Sequence, residues 1–545
     1  MTGIPNPSDF SWDAVWAQFD WDAPDELNIT HEVVTRNVGR GTALSWYGAD
    51  GEAVEQTYKD LEAESSKVAN ALADLGVERG DPVATLVPRV PELYPLFLGI
   101  WRAGAVYVPL FTAFGPDAIA ARAGDADVDV IFTTPEYRDR VAAVEDEIDF
   151  EHIVVLDRDG VGIDGGDISH ASLLADQSTS HEIVKTSADD VCTLEYTSGT
   201  TGPPKGCLLT HRVLGALYPY LWYGMGLTGD EVFWGAADPG WMYGLLSAGV
   251  APVSMGVQNV MYAGEFDPTS WYDVMERAGV TTLASSPTAY RGLMAEDELH
   301  EQYDLALERG NSAGEPLNPE VVRWFEDELS VAVYDQYGVT EAGMVVCNQH
   351  AAPEQFVQGS MGTPLPGFEV AVLGDGERVP EGETGELAVK RTEGTYFSGY
   401  LNRPQATEKA WTTLDGDEYF LTGDAVTKED GVYWFVGRAD DVIISSGYRI
   451  GPFEVESTLI EHESVAEAAV IGVPDDQRGE VVTAFVVLRG GYEASPALRE
   501  DIVSFVKGKL ARHAYPRQVH IVDELPKTSS GKIRRVELRN RARTV

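Results

Sequence analysis

Lysine and cysteine are the scarce residues of this sequence, and each scarcity excludes something. Only 11 of the 40 basic side chains are lysines, against 88 Asp and Glu, for a formal charge of -48 over 545 residues. A surface so negative is unsuited to non-specific nucleic-acid binding, which needs a positive footprint. The three cysteines, Cys192, Cys207 and Cys347, are too few and too dispersed for a disulfide framework or a metal cluster. The chain therefore reads as reduced and cytoplasmic. Long apolar runs are missing too. "PLFLGIWRAGAVYVPL" is broken by Arg102 and by glycines before it reaches the roughly 20 residues of a membrane span. The opening "MTGIPNPSDFSWDAVW" has neither the charged n-region nor the apolar h-region of a signal peptide. No internal repeat or low-complexity segment is read.

Apolar residues make up 44% of the chain, enough for large cores, and the length calls for at least two domains. The acids are scattered among apolar runs, unlike the blocks of a disordered tail. Charge of this size costs compactness through self-repulsion, a load that halophilic proteins carry. At about 1 M salt the Debye length falls to roughly 3 Å and the repulsion is screened. The expectation is a surface adapted to molar cytoplasmic salt.

Strand and helix patterns alternate early on. "DLEAESSKVANALADLGVERG" has apolar residues at helical spacing, with Gly76 placed to end the helix. "DPVATLVP" and "AVYVPL" read as buried strands on either side of a helical "ELYPLFLGIWRAG", and similar units recur at "GVTTLASSP" and "SVAVYDQYG". Strand–helix–strand repetition implies parallel sheets covered by helices. After about residue 360 short strands and tight turns suggest antiparallel sheet. A smaller mixed unit follows, with helices near 453–462 and 496–510 and strands near 465–472 and 480–488. The fold expected is α/β: a large N-terminal domain, 1–438, of βαβ units with parallel sheets and a small antiparallel β subdomain. A small mobile α+β C-terminal domain, 439–545, follows it.

"YTSGTTGPPKG", Tyr196 to Gly206, packs three glycines, five hydroxyls and one lysine into eleven residues after a strand-like "VCTLEY". Glycines let a backbone fold closely round phosphate, N–H and hydroxyl groups donate to its oxygens, and Lys205 adds charge. No G-K-[ST] ends the run, and Pro203–Pro204 bar a helix from starting there, so this is not a Walker A loop. A second basic knot, "KTSSGKIRR", holds Lys527, Lys532, Arg534 and Arg535 without a carboxylate.

Further motifs follow in order: "SSPTAYR", "NSAGEPLNPE", "YDQYGVTEAG", "GELAVK", "YFLTGD", "GRADDVIISSGYRIGPFEVE" and "PKTSSGKIRR". With the glycine loop, this series resembles the AMP-forming adenylating enzymes over nearly the whole chain. "ADPGW", "FSGYLNRPQATEKA" and "SSGYRIGPFEVE" look most like acetyl- and medium-chain acyl-CoA synthetases. The resemblance implies ATP, Mg²⁺ and coenzyme A, with a short- to medium-chain carboxylic acid as partner. A carboxylate attacks the α-phosphate of ATP and releases pyrophosphate, and the CoA thiol then displaces AMP.

On that resemblance Lys532 sits between substrate carboxylate and α-phosphate, and the other cations of the knot, with Lys507, Lys509, Arg512 and Arg517, face nucleotide and CoA phosphates. Arg539, Arg541 and Arg543 are expected instead to pair with the acidic main body. Thr197, Ser198, Gly199, Thr200, Thr201, Gly202 and Lys205 hold phosphate, Thr340 bonds the α-phosphate, and Glu341 is the magnesium ligand. Gly314, Glu315, Pro316, Asp335, Gln336 and Tyr337 resemble the adenine pocket. Asp424 accepts from the ribose, with Arg438 and Arg449 beside ribose and phosphate. Asp440 matches the hinge about which the small domain turns, and Ser446, Gly447, Tyr448 and Lys507 border the CoA tunnel. The acyl pocket maps onto Trp241, Met242, Tyr243, Ala313 and Gly338. Acetate-specific relatives carry tryptophan at the place of Gly338, so its absence is expected to open the floor. Two other readings stand beside this one: a stand-alone amino-acid or aryl-acid adenylating enzyme, and a catalytically inactive binding homologue. A luciferase-like oxygenase lacks support, and a homo-oligomer is open.

Overall fold

Short buried strands, many of them followed by a helix, set the architecture. A computed structural model describes residues 3–157, 166–197, 204–296, 298–439, 441–445, 448–475, 478–510, 514–527 and 533–542. Among these, four sheets form. In the largest, Val232–Gly235 lies between Gln258–Tyr262 and Thr282–Ser285, and Arg309–Ala313 and Ala332–Val339 follow outward, each parallel to its neighbour. The antiparallel Gly343–Cys347 continues that edge. The second sheet runs Phe397–Tyr400, Lys205–Thr210, Val191–Thr197, Val106–Pro109, Pro82–Leu86, Val130–Thr133, His152–Val155 and Ile168–Ser169. All ten residues of the helix Leu93–Arg102 are buried in the core that both sheets share. Even Arg102 is only 1% exposed, its guanidinium held by Glu62, Thr35 and the His181 carbonyl.

The third sheet is antiparallel, as the turn-rich sequence implied, and ends with Val432–Arg438 paired to Asp417–Glu429. The fourth begins at Ile443–Ser445 and joins Val465–Asp475, Gly479–Leu488 and Gln518–Ile521, with Pro452–Ile460 and Pro496–Lys509 packed on it. Val432–Arg438 and Ile443–Ser445 thus belong to different sheets, and Asp440 between them lies outside the described residues. The early helix is Tyr58–Asp74, opened by a Thr57–Asp60 capping box and closed before Gly76, whose φ of +83° suits a residue without Cβ.

One region departs from simple helix. Val213–Pro219 passes into a π-helical turn, Tyr220–Gly224, and Tyr243–Val250 is π-helical before Ala251–Ser254. Met225 and Ala251 N–H groups donate to Tyr220 and Leu246 carbonyls, five residues back. Pro219 and Pro252 lack the N–H that ordinary helical pairing would use at these points. Gly235 accommodates the second π segment, since a Cβ there would lie 1.9 Å from the Ala248 carbonyl oxygen.

Candidate active site

Parallel strands deliver their following loops to one edge of a sheet, the usual place for a ligand in an open α/β fold. Four of the sequence motifs arrive in this way on adjacent strands. "ADPGW" follows Val232–Gly235, "SSPTAYR" spans the end of Thr282–Ser285, "NSAGEP" the end of Arg309–Ala313, and "YGVTE" the end of Ala332–Val339. The register Ser285↔Ser312, Ser312↔Asp335 and Ala313↔Gln336 sets them side by side.

The strands on either side of the glycine loop pair antiparallel in the second sheet, Thr197 opposite Lys205. Ser198, Gly199, Thr200, Thr201 and Gly202 lie outside the described residues. Lys205 Nζ stands 4.8 Å from the centroid of the Tyr400 ring. The Tyr400 phenol donates to Glu341 Oε1 at 2.7 Å, and the Cys207 thiol reaches the same oxygen at 3.6 Å. Tyr396 donates to the Thr340 carbonyl at 2.8 Å. Strand Phe397–Tyr400, paired with Lys205–Thr210, therefore brings lysine, threonine and glutamate together. Burial, then the neighbouring Glu341 carboxylate, pushes the Tyr400 phenol up, so it stays a donor at neutral pH.

Three residues further back on the "YGVTE" strand, Tyr337 donates to Asp424 Oδ2 at 2.6 Å, while Arg438 Nη1 lies 3.0 Å from Asp424 Oδ1. Asp424 is buried, so its charge is held by this cation and this phenol. Asp335, at the start of the motif, accepts from the Leu317 N–H at 3.3 Å, and burial raises its carboxyl to about 7. Gly314 has φ +93° and open space where a Cβ would stand. Glu315 accepts from Thr288 Oγ1 at 3.3 Å. The structure thus gathers Thr340, Glu341 and Lys205 on one side, and Tyr337, Asp424 and Arg438 on the other.

Among the acyl-pocket candidates, Trp241 packs on Phe111 and Phe114 at ring distances of 5.5 and 6.0 Å. Met242 and Ala313 are each 6% exposed, and the Tyr243 phenol meets Tyr220 at 3.1 Å. The expectation for Gly338 needs correcting. A Cβ there would strike the Gly343 carbonyl oxygen at 2.4 Å and Met344 Sδ at 2.6 Å. Where Gly338 pairs with Met344, the close approach of the Gly343 carbonyl leaves no room for a Cβ, so an added side chain meets backbone first.

The basic tail also corrects the sequence reading. Lys527 pairs with Glu467 at 2.8 Å, Arg534 with Glu537 at 3.2 Å, and Arg535 with Glu456 at 2.7 Å and Asp441 at 3.6 Å. Lys509 is bound to Glu461. These cations are met by carboxylates of their own unit instead of standing free for phosphates. Arg539 and Arg541 do pair with carboxylates, but with Asp441 and Glu537 of the C-terminal unit and not with the main body. Lys507 lies over the Tyr515 ring and Tyr448 is 52% exposed. Lys532, Asp440, Ser446, Gly447, Arg512, Arg543 and the Arg449 side chain lie outside the described residues.

Sequence reasoning missed Tyr396 and Tyr400 as functional residues. Their signal was present in "TYFSGYLNRP", which carries family likeness but no charged group next to either tyrosine.

This geometry has a family. Residues 32–401 match the AMP-binding enzyme family and residues 454–532 the AMP-binding enzyme C-terminal domain, so the chain belongs to that family. Within it, the chain is 39% identical to an acetyl-coenzyme A synthetase of Bacillus subtilis, over 96% of this chain and 94% of the relative. It is 34% identical to a mitochondrial acyl-coenzyme A synthetase of Mus musculus, over 98% and 94%. Among solved structures, an acyl-CoA synthetase of Brucella canis shares 42% identity at a TM-score of 0.76, with 98% of each chain covered. An anthranilate CoA ligase in complex with anthranoyl-AMP gives 30% and 0.87, covering 96% of this chain and 98% of that one.

Proposed function

We infer that the protein is an AMP-forming acyl-CoA synthetase for short- to medium-chain carboxylic acids. A substrate carboxylate oxygen bonds to the α-phosphorus of ATP as the bond to pyrophosphate breaks. The CoA sulfur then bonds to the acyl carbon, AMP leaves, and the thiol proton is lost. One observation carries this reading. The segment 335–341 is tied at Tyr337 to the Asp424–Arg438 pair, suited to a ribose, and its Glu341 is joined through Tyr400 to Lys205, a pair suited to a polyphosphate. Nucleotide laid along that segment has its sugar and its phosphates each matched by chemistry.

Lysine charge is most useful where two anions are pressed together in a water-poor site. Lys205 serves the phosphates, and Lys532 is assigned to the carboxylate and α-phosphate. Thr340 offers a hydroxyl for the α-phosphate. Glu341 fits a magnesium ion shared with the nucleotide, because Tyr400 and Cys207 engage only Oε1 and Oε2 has no partner among the described residues. When bound, the ion neutralises phosphate charge. Asp440 is the proposed hinge between units 1–438 and 439–545, whose turning would bring Ser446, Gly447, Tyr448 and Lys507 to CoA.

The acidic surface is proposed as a halophilic adaptation, and the three buried, unpaired cysteines suit a reducing, cytoplasmic setting. An acid panel assayed for acyl-CoA and AMP across a KCl series tests both parts. Thioester formation that rises into molar KCl together with native circular dichroism is the expected result. Full folding and peak activity at about 0.1 M KCl would overturn the salt reading alone. Pyrophosphate release with amino acids only would overturn the acyl-CoA reading.

A further inference from the structure

Gln336, Tyr220 and Tyr243 form a hydrogen-bonded chain whose proton directions are fixed at the inner end. Gln336 Nε2 lies 2.9 Å from the Gly224 carbonyl oxygen and 2.8 Å from Asn311 Oδ1. A backbone carbonyl cannot donate, so the amide nitrogen must face it, and Oε1 must face Tyr220. Tyr220 Oη is 2.6 Å from that Oε1 and gives it its single proton. The Tyr220 oxygen is left to accept, and Tyr243 Oη, 3.1 Å away, supplies the proton. Tyr243 has then spent its only proton inward, and what it keeps for its other side is lone pairs.

The far end of this chain is the open one. Tyr220 and Gln336 are 0% and 1% exposed, whereas Tyr243, at the start of the π-helical turn after Trp241, stays partly exposed. Burial pushes both phenols up, so neither gives up its proton to solvent at neutral pH. A second observation lies beside the chain. Asn311 shares a strand face with Ala313 and is fully buried, yet its Nδ2 has no partner among the described residues. The chain thus has an acceptor without a donor at its Tyr243 end and a donor without an acceptor at its Asn311 end.

We propose that the Tyr243 oxygen is a hydrogen-bond acceptor in the acyl pocket, and that the acids preferred by this chain carry a hydroxyl on their hydrocarbon part. This rests on the synthetase reading, in which Trp241, Tyr243 and Ala313 line that pocket. A hydroxyl donates to the Tyr243 oxygen and satisfies it. A plain alkyl chain strips water from that oxygen and returns nothing. Sites that hydrogen-bond a substrate hydroxyl reject analogues lacking it far more strongly than apolar pockets reject a missing methylene.

The test compares straight-chain acids from butyrate to caproate with terminally hydroxylated acids of equal heavy-atom number. Full-length enzyme is assayed for acyl-CoA with ATP, magnesium and CoA in high KCl. Wild type should favour the hydroxy acid by roughly tenfold or more in kcat/KM. Tyr243→Phe should bring the ratio close to one, with the loss falling on the hydroxy acid, whereas a structural role would lower both acids together. Tyr220→Phe frees the Tyr243 proton to turn outward, so a keto acid such as levulinate should gain relative to its hydroxy counterpart. Thermal unfolding of both variants tracks any loss of fold. A wild type indifferent to the hydroxyl, or a Tyr243→Phe variant that still selects it, overturns the proposal and leaves the synthetase reading standing. Absence of acyl-CoA from every acid overturns both.

Discussion

Tyr400→Phe removes one oxygen atom from the point where the phosphate side of the site is assembled. The ring survives, and with it the contacts at 4.9 Å to Phe397 and 4.8 Å to Lys205. What is lost is the 2.7 Å bond to Glu341 Oε1. A hydrogen bond to a charged group contributes about 1.5–3 kcal/mol, and Glu341 is exposed enough for water to replace part of it. A net loss of about 1–2 kcal/mol in aiming the carboxylate corresponds to a roughly 5–30-fold fall in kcat/KM for ATP. Pyrophosphate release should be followed while ATP is varied at fixed acid, then while magnesium is varied at fixed ATP. Both requirements should rise, and the KM for the acid should hardly move. Tyr400→Leu, which also removes the ring from Lys205, should cost a further ~0.5–1 kcal/mol. Unchanged ATP and magnesium dependence in Tyr400→Phe would refute the assignment of Glu341 to the nucleotide.

Three further outcomes are expected. Lys532→Ala should lower acid-dependent pyrophosphate release by about 10²–10³-fold, while CoA transfer from preformed acyl-AMP suffers much less; equal loss in both half-reactions would contradict its role. Asp335, moved by burial from 3.8 to about 7, holds its proton more tightly folded than unfolded. Its stabilisation is complete below about pH 4 and is lost as the pH rises through 7, at most about 4 kcal/mol. Denaturant melts at pH 5 and pH 8 should therefore converge for Asp335→Asn relative to wild type, and parallel pH profiles would count against this. Gly338→Ala should destabilise by about 1–3 kcal/mol, seen as a lower melting temperature, because its Cβ meets the Gly343 carbonyl at 2.4 Å. A variant that melts with wild type and turns towards acetate would restore the open-floor reading.

Local signals carried much of the fold. Tyr58–Asp74, Pro452–Ile460, Val465–Asp475 and Gly479–Leu488 stand close to where periodicity and turn residues put them, since each buries a face its own spacing defines. The π-helical turns were not legible. They depend on Pro219 and Pro252 lacking a donor and on Gly235 yielding space to Ala248, a contact between residues 13 apart in sequence. The site was legible as a set of motifs but not as an arrangement. Tyr400 gains meaning only when its strand pairs with Lys205–Thr210, and Gly338 only when Met344 lies opposite. Charge was the most misleading signal. With 88 acids in the chain, composition cannot say that Glu456 and Asp441 are the ones that meet Arg535.

The central claim is that one site makes an acyl-adenylate and then a thioester. Isotope exchange between pyrophosphate and ATP tests it most directly, measured with acid and magnesium but without CoA, and followed by addition of CoA. Exchange that depends on the acid, and acyl-CoA with AMP appearing only once CoA is added, is the expected result. No exchange with any acid, or formation of ADP and phosphate in place of AMP and pyrophosphate, would contradict it.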